Sequence, residues 1–236
     1  MTTALDTLTA GGFSIGLEAP LDHDWTAAGE ASRRQSGRLP GEPDLQQHAD
    51  LARLADHLGF RALWVRDVPV YDPNFGDAAQ VFEVFSYLGY LAGITRDILL
   101  GTAAVVLPLR EPLLTLKSAS TLQHLSGNGL LFGVASGDRP VEYPLFGRDF
   151  ASRGAAFREQ IALLRDNARA HLPPGLACCP VRPHRCRCWW PGWRNRRRTG
   201  SAPIWTAAWL TPARRTTICT APPPGAAWRA TSPTSA

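Results

Sequence analysis

Polar and charged residues follow four apolar segments of the chain, at the point where each segment ends. Glu18 follows the first segment, Arg66 and Asp67 follow the second, residues 102–110 follow the third, and the Ser-Gly-Asp-Arg run at residues 136–139 follows the fourth. In folds built from alternating strands and helices, ligands bind where strands end and helices begin. We therefore expect these four points to form one binding or catalytic site.

The charged members of this set have two interpretations. Arg66, Asp67, Asp138 and Arg139 either line a ligand pocket or pair across its mouth as structural salt bridges. The dipeptide at residues 136–137, Ser-Gly, favours a pocket because a glycine lets the backbone approach a ligand closely. The sequence contains neither a G-x-G-x-x-G nor a G-x-x-x-x-G-K-[ST] motif, so it gives no motif-based sign of a nucleotide phosphate loop.

The elements that must position these residues alternate between strand and helix. Continuous apolar runs predict strands at residues 13–17, 62–65, 98–105 and 130–135, a pattern typical of strands covered on both faces. The first predicted helix starts at Pro43–Asp44, with Asp44 as its cap, and ends at Gly59; its apolar face is Leu51, Leu54, Ala55 and Leu58. The second starts at Asp77 and has Val81, Val84, Phe85, Leu88 and Ala92 on one face. The third extends from Pro112 to near Gly127, and the fourth lies around Phe157, Ile161 and Leu164.

Four strand–helix units in succession imply a parallel sheet with right-handed crossovers. A closed (β/α)8 barrel needs about 250 residues, and the regular pattern ends after four units. We predict an α/β fold of the (β/α)8 TIM-barrel type, truncated to about its first four βα units and followed by an irregular tail. The predicted boundaries are residues 1–171 for the half-barrel and 172–236 for the tail.

The charge of the chain changes sign near Asp166. All 20 acidic residues lie at or before this position, so residues 1–166 have a net charge of −6, whereas residues 167–236 contain 11 Arg and no acidic residue. No run of 18 apolar residues predicts a membrane span, and the N-terminus lacks the features of a secretory signal. All five cysteines follow Asp166, so the first part gives no sign of an oxidising compartment, and we expect a cytoplasmic protein.

The segment 172–236 differs from the rest in composition. It holds six of the eight Trp, 11 of the 20 Pro and all five Cys, and its apolar residues follow neither a helix nor a strand period. Nucleic-acid or other anion binding through its Arg and Trp residues is one interpretation. A zinc site is a second, but no two cysteines have the C-x2-C spacing among the possible ligands Cys178, Cys179, His184, Cys186 and Cys188. We favour neither and expect no metal site; His48, His57 and His124 fall on predicted helices, where packing or surface roles are expected.

A third interpretation of this segment is translation of a GC-rich gene in a shifted reading frame. When the degenerate codons of residues 199–213 are regrouped by one frame shift, they permit the string W-I-G-A-H-L-D-G-x-L-A-Y-P-R, and the junction of Trp205 with Thr206 forces an Asp. Because most positions permit several amino acids, the string shows compatibility. We expect this segment to form no compact domain, since it has no hydrophobic period and many prolines.

Several motifs resemble those of the luciferase-like flavin monooxygenase superfamily, and they come in the same order. They extend from about residue 13 to residue 165 and are A-L-W-V-R-D-V-P at 62–69, L-G-T at 100–102 with L-P-L-R-E-P at 107–112, T-L-Q-H-L-S-G at 121–127, G-V-A-S-G-D-R-P-V-E-Y at 133–143, and F-G-R-D-F at 146–150 with Arg153. The W-V-R-D-V-P and S-G-D-R-P-V-E strings are similar to one luciferase-type oxidoreductase subfamily in particular.

The resemblance implies a (β/α)8 barrel, usually a homodimer, that binds reduced FMN supplied by a flavin reductase. It implies activation of O2 and insertion of one oxygen atom into a small organic substrate, with the deazaflavin F420 as the second choice of cofactor. From the sequence itself we expect no membrane partner, and we do not favour a nucleic-acid partner. The cofactor-binding residues implied are Thr102 and Ala103 facing the flavin ring, Ser136 and Gly137 near the ring or ribityl chain, and Arg66 and Asp67 lining the pocket. No catalytic residue is assigned.

The chain departs from this superfamily in the tail. The subfamily continues with a segment similar to W-I-A-x-x-x-D-G-W-x-x-Y-P-R, which nearly matches the frame-shifted string. The family's phosphate-binding loops lie mostly in the second half of the barrel, so we expect this chain to be an inactive, truncated form of a flavin-dependent oxidoreductase. The competing hypothesis is a non-enzymatic protein that binds nucleic acid or another anionic partner through its basic tail.

Overall fold

The computed structural model describes residues 4–20, 26–39, 42–72, 74, 82–166, 168–176 and 178. Nearly all of the predicted tail lies outside these residues, as do Asp77 and Val81 of the predicted second helix. The predictions about the tail, including its lack of a compact domain and its boundary at residue 172, therefore stay predictions. Within the described residues, every helix is too short or too polar to cross a membrane.

A four-stranded parallel sheet forms the centre of the fold. Six strands occur in the described residues: β1 (Gly16–Ala19), β2 (Ala62–Val65), β3 (Leu99–Thr102), β4 (Val105–Val106), β5 (Leu130–Leu131) and β6 (Val134–Ala135). The main sheet has the order β1-β2-β3-β5, and β4 pairs with β6 as a separate parallel pair. The predicted parallel α/β fold is confirmed, and the strands follow one another as in the first units of a TIM barrel.

Helices connect these strands. Seven α-helices are described: α1 (Ala4–Thr9), α2 (Ala27–Gln35), α3 (His48–His57), α4 (Val84–Ile94), α5 (Pro112–Leu125), α6 (Glu142–Leu145) and α7 (Arg153–Arg165). Short 3-10 turns cover Leu107–Leu109 and Arg169–His171. The predicted helix from Pro112 is confirmed, with the proline in its first turn, and the helix expected around residues 157–164 is α7.

The second predicted strand agrees with β2, and the other three are longer than the observed strands. The runs at 98–105 and 130–135 are each interrupted, because Thr102 donates its hydroxyl hydrogen to the Gly133 carbonyl at 2.6 Å and the backbone leaves the ladder there. A β-carbon on Gly133 would lie 2.2 Å from the Thr102 carbonyl oxygen, so only glycine permits this approach. The first strand begins at Gly16 rather than Phe13, and the Phe13 side chain is 67% exposed.

Helix α3 begins later than predicted and buries a different face. Asp44 does not cap it; its carboxylate accepts a hydrogen bond from the Gln46 amide at 2.8 Å and closes a turn before the helix. Small residues, Ala52 and Ala55, are buried against the sheet, while Leu54 and the following Leu58 are largely exposed. Of the predicted apolar face, Ala55 is therefore confirmed and Leu54 and Leu58 are wrong, and His48 and Ala52 complete the buried side of α3.

The two faces of the sheet have different coverings. On the outer face, Leu63, Val65 and Leu100 pack into one core with helices α3, α4, α5 and α7. On the inner face, Ala62, Trp64, Leu99 and Leu131 form a smaller cluster with Leu8 of α1. We define the inner face by the residues that alternate with the outer set: Gly16, Glu18, Ala62, Trp64, Leu99 and Gly101. Helix α1, which the sequence patterns did not indicate, thus lies on the side that is the interior of a barrel.

Candidate functional site

The carboxyl ends of the parallel strands bring the predicted site residues to one edge of the sheet. Glu18 of β1 and Arg66, directly after β2, form an ion pair with 2.5 Å between Oε1 and Nε. Both side chains keep some exposure, 34% for Glu18 and 18% for Arg66. Glu18 is paired in register with Trp64, so this ion pair belongs to the inner face.

Asp67 lies next to Arg66 but has a different set of contacts. Its buried carboxylate accepts hydrogen bonds from the Val106 amide at 2.9 Å and from Arg110 Nε and Nη2 at 3.0 and 2.6 Å. A two-pronged bond of this kind fixes a guanidinium in position as well as in charge. Asp67 therefore fastens the end of β2 to strand β4 and to the segment that leads into α5.

Arg110 extends this network to helix α4. Its Nη1 lies 3.1 Å from the Glu83 carboxylate, and its guanidinium lies 5.1 Å from the centre of the Phe85 ring. Burial lowers the pKa of Arg110, but the hydrogen bonds and charges of Asp67 and Glu83 outweigh it, so the pKa is raised. Burial likewise raises the pKa of Glu83, but hydrogen bonds from Ser86 and the Arg110 charge prevail and lower it. Both shifts favour the charged pair.

Thr102 and Ala103 lie on opposite sides of the chain at the end of β3. Thr102 is buried, and its hydroxyl is engaged with the Gly133 carbonyl. Ala103 is half-buried and packs against the inner-face cluster that contains Trp64. Its amide donates to the Val65 carbonyl at 2.8 Å, and the Ala103–Ala104 peptide bond is cis.

Ser136 and Gly137 follow β6 and contact the side chain of Tyr143. The Tyr143 hydroxyl donates to the Ser136 carbonyl, and the Tyr143 side chain is buried. Gly137 has φ +79°, and a β-carbon there would lie 2.6 Å from the Tyr143 hydroxyl and 2.7 Å from Val106 Cγ1. Burial raises the pKa of Tyr143 to about 12, so its hydroxyl stays protonated as a donor. Gly137 thus lets the backbone after β6 pass close to Tyr143 and Val106.

Arg139 and Glu142 form a buried pair below this loop. Arg139 Nη1 donates to Glu142 Oε1 at 2.7 Å and to the Val70 carbonyl at 2.9 Å, which ties the loop after β6 to the loop after β2. Burial raises the pKa of Glu142, and the Arg139 charge opposes this only in part. Asp138 is exposed.

The charged residues therefore pair, but with partners that the sequence did not indicate. Arg66 pairs with Glu18, Asp67 with Arg110, and Arg139 with Glu142. The interpretation as structural ion pairs accounts for Asp67 and Arg139, whose side chains are committed to neighbouring loops. Arg66, Ala103 and residues 136–137 keep partial exposure at the strand ends.

Sequence reasoning missed three contributors to this edge: Arg110 as the partner of Asp67, Tyr143 as the support of Ser136, and Trp64 as an inner-face side chain. Trp64 and Tyr143 stand within motifs that were singled out, and Arg110 ends the 102–110 segment. The distinguishing signal for Trp64 is the pair of glycines on the neighbouring strands, Gly16 and Gly101, which becomes visible only once the strand register is known.

Histidine and cysteine residues make no metal centre in the described part of the chain, where no three His, Cys, Asp or Glu side chains come together. Cys178 donates to the Leu113 carbonyl at 3.4 Å; the other proposed zinc ligands lie outside the described residues. His48 is buried and hydrogen-bonded to the Tyr87 hydroxyl, whereas His57 and His124 are exposed. The packing and surface roles expected for these histidines are confirmed.

Comparison with known proteins indicates the same family as the motifs do. The sequence profile of the luciferase-like monooxygenase family matches residues 27–214 and so continues beyond residue 165, where the recognisable motifs end. An uncharacterized protein of Mycobacterium tuberculosis is 29% identical over 136 residues, which are 52% of this chain and 47% of that protein. The alkanal monooxygenase alpha chain of Photorhabdus luminescens is 26% identical over 116 residues, 49% of this chain and 31% of that protein.

Among solved structures, the EDTA monooxygenase of Chelativorans sp. has a TM-score of 0.52 at 16% identity, over 66% of this chain and 36% of that chain. This similarity concerns the fold alone. The chain spans about half the length, or less, of the curated relatives that it matches. Since the family profile covers well over half of the sequence and the parallel βα units carry its motifs in order, the chain belongs to the luciferase-like monooxygenase family.

Proposed function

We propose that this chain carries the flavin-facing half of a monooxygenase that uses reduced FMN and O2 to insert one oxygen atom into a small organic substrate. The observation that carries the proposal is the position of Ala103 directly after β3, and of Ser136 and Gly137 directly after β6, at the carboxyl ends of parallel strands in a chain of this family. In barrels of this type the active site forms at that edge.

The inner face fits a flat ring system. Ala103 has the smallest side chain that retains a β-carbon, and the flat Trp64 indole covers Gly101 beside it, so a planar ligand over Ala103 meets no long side chain on β3. The Thr102 hydroxyl is engaged with Gly133, so we assign Thr102 the role of holding the strand end and Ala103 the contact with the ring. The backbone at Ser136 and Gly137 offers hydrogen-bonding groups beside the ring. Reduced FMN, when bound, supplies the electrons that activate O2.

The charged residues would orient the loops around this ligand. Arg66, held by Glu18, presents a cation on the inner face and can donate hydrogen bonds to a carbonyl or an anionic oxygen. Asp67 acts through Arg110 and Val106, which keeps the strand ends in place. The apolar cluster beneath keeps water away from the lower side of the site.

The identity of the cofactor and partners is part of this proposal. FMN is preferred over F420 because the motifs are those of the flavin-dependent subfamily. A separate flavin reductase would supply the reduced cofactor, and a homodimer is expected of the intact enzyme. The name of one relative, an alkanal monooxygenase, makes aliphatic aldehydes and alcohols suitable substrate probes.

We also propose that the 236-residue chain alone is inactive or nearly so. The chain corresponds to less than half of its relatives, and the resemblance assigns the flavin phosphate contacts mostly to the second half of the barrel. In this proposal residues 172–236 are that second half in a shifted reading frame, although the family profile matches the chain as written up to residue 214, which is an argument against the shift. The nucleotide sequence around codons 166–180 tests the shift directly.

The binding test compares the 236-residue chain with a frame-restored version. Both are titrated with FMN under reducing conditions, together with a Gly137→Val variant and a Gly93→Ala control, which changes an exposed helical glycine with open space around it. We expect one FMN per restored chain, weakened binding in Gly137→Val and unchanged binding in the control. Tight stoichiometric binding by the 236-residue chain would contradict the need for the second half, and no binding by either form would contradict the function.

A second candidate function is supported by the 11 Arg and absent acidic residues after residue 166. A non-enzymatic protein of this kind would bind nucleic acid or another polyanion through its tail. It predicts DNA binding that weakens steeply with salt and disappears when residues 172–236 are deleted. Salt-insensitive or absent binding excludes it.

A further inference from the structure

The indole of Trp64 lies across the inner face of three strands. Trp64 is the central residue of a row in which Glu18 stands on one side and Gly101 on the other. A β-carbon on Gly101 would lie 2.3 Å from the indole Cε3, and one on Gly16 would lie 2.6 Å from Nε1. The two neighbouring strands therefore leave out their side chains where the indole lies.

This indole divides the inner face into two levels. Below it, Ala62 and Leu99 are buried with Leu8 of helix α1, so protein fills the lower level, while Leu131 lies level with the indole, in register with Gly101. At and above it lie the partly exposed Glu18–Arg66 pair and the half-buried Ala103. Trp64 itself is 6% exposed, so the exposure on the inner face falls off at its ring, from the partly exposed Glu18 and Arg66 to the buried level below.

We propose that Trp64 sets the depth of the organic-substrate pocket. This inference rests on the proposed function and extends it: the substrate presents an aliphatic or other apolar end to the indole, and its polar end lies near Arg66. The apolar surroundings of the ring, Ala103 and Leu131, favour such an end. The pocket is closed below by the indole and by helix α1, so the ring limits the length of substrate that can enter.

A depth limit has a measurable signature in a series of straight-chain ligands. Each methylene that passes from water into an apolar pocket improves affinity by about fourfold, and two improve it by about fifteenfold. The increase stops at the chain length that reaches the floor. A smaller residue at position 64 moves this break to longer chains, by a distance that follows the volume removed.

The experiment measures the affinity of n-alkanols, from butanol to decanol, for the 236-residue chain by calorimetry in the absence of flavin. Trp64→Ala and Trp64→Phe are compared with Leu63→Ala, which removes an equally buried side chain from the opposite face of the same strand. Thermal unfolding checks that each variant is folded, and Trp64→Phe serves where Trp64→Ala is not. We expect the break to move furthest in Trp64→Ala, less in Trp64→Phe and not at all in Leu63→Ala.

Three results would overturn the inference: no alkanol binding by the unchanged chain, an unmoved break in both Trp64 variants, or an equal movement in Leu63→Ala. Because no flavin is present, none of these depends on the FMN titration. The proposed function can therefore fail while the depth limit stands, and the reverse outcome is equally distinguishable.

Discussion

The outer and inner faces of the same four strands differ in size, composition and chemistry. The outer face joins 18 buried residues, mostly Leu, Val and Ala from strands and helices, into one core. The inner face has a cluster of five buried residues, with Gly16 and Gly101 leaving room for Trp64. The Glu18–Arg66 ion pair also lies on the inner face, where Glu18 is in register with Trp64.

This difference separates the residues that stabilise the fold from those that shape a site. Close-packed aliphatic side chains on the outer face contribute free energy through burial of apolar surface. The inner face instead combines a large ring with glycines and a partly exposed ion pair, which stabilises less but forms a surface that a ligand can meet. In the proposed function, the same strand thus serves stability with one set of alternate residues and recognition with the other.

The sharpest test of this comparison uses two adjacent leucines on β3. Leu100 lies on the outer face and Leu99 on the inner face, and both are buried. Replacing Leu100 by Ala should lower the free energy of unfolding by about 3 kcal/mol. Replacing Leu99 by Ala should lower it by about 2 kcal/mol, because the smaller inner cluster leaves a smaller cavity where the side chain was. Urea unfolding of both variants measures the difference. A greater loss in Leu99→Ala would show that the inner cluster is the main core.

A second test concerns the network that holds the strand ends together. In Asp67→Asn the carboxylate charge that binds Arg110 is lost, although an acceptor for the Val106 amide remains. Arg110 keeps Glu83 and some exposure, so we expect a loss of about 2 kcal/mol of unfolding free energy, typical of a hydrogen bond to a charged group.

The control for this change is Asp50→Asn, whose exposed pair with Arg53 should contribute less than about 1 kcal/mol. Both variants are measured by urea unfolding at neutral pH. Equal losses would show that the Asp67 network adds nothing beyond a surface ion pair.

The sequence predicted the features that depend on local pattern. Strand β2 and helix α5 agree with the prediction because a continuous apolar run and a first-turn proline are local signals. The breaks in the two long strands were not predicted, since they depend on the bond from Thr102 to Gly133, a residue 31 positions away. Helix α1 was missed because six residues with one buried leucine give no recognisable period.

The position of the candidate site residues at the strand ends was predictable, but their contacts were not. Arg66 and Asp67 stand together in sequence, yet β-strand alternation sends one to Glu18 on the inner face and the other to Arg110, 43 residues away. Pairing across such distances depends on the sheet order and register, which no local pattern encodes. Only the resemblance to a known family supplied roles for individual residues before the contacts were known.

The smallest expected effect concerns the pH dependence that the loop after β6 gives to stability. Burial raises the pKa of Glu142 above its ordinary value of 4.5, while the Arg139 charge opposes the shift. The folded state therefore binds its proton more tightly than the unfolded state does. The stability contributed by protonated Glu142 is full below pH 4.5 and is lost as the pH rises through the raised pKa.

Glu142→Gln should remove this loss, so that the difference in unfolding free energy between variant and unchanged chain shifts in favour of the variant as the pH rises above 4.5. Glu83→Gln is the matched control of opposite sign, because the pKa of Glu83 is lowered. Its carboxylate contributes stability that is present above pH 4.5 and lost as the pH falls through the lowered pKa. Urea unfolding across this pH range should give slopes of opposite sign for the two variants, each a smaller effect than either substitution above. Slopes of the same sign would show that the Arg139 charge, rather than burial, determines the pKa shift of Glu142. The loop after β6 would then belong with the residues that stabilise the fold and not with those that form the site.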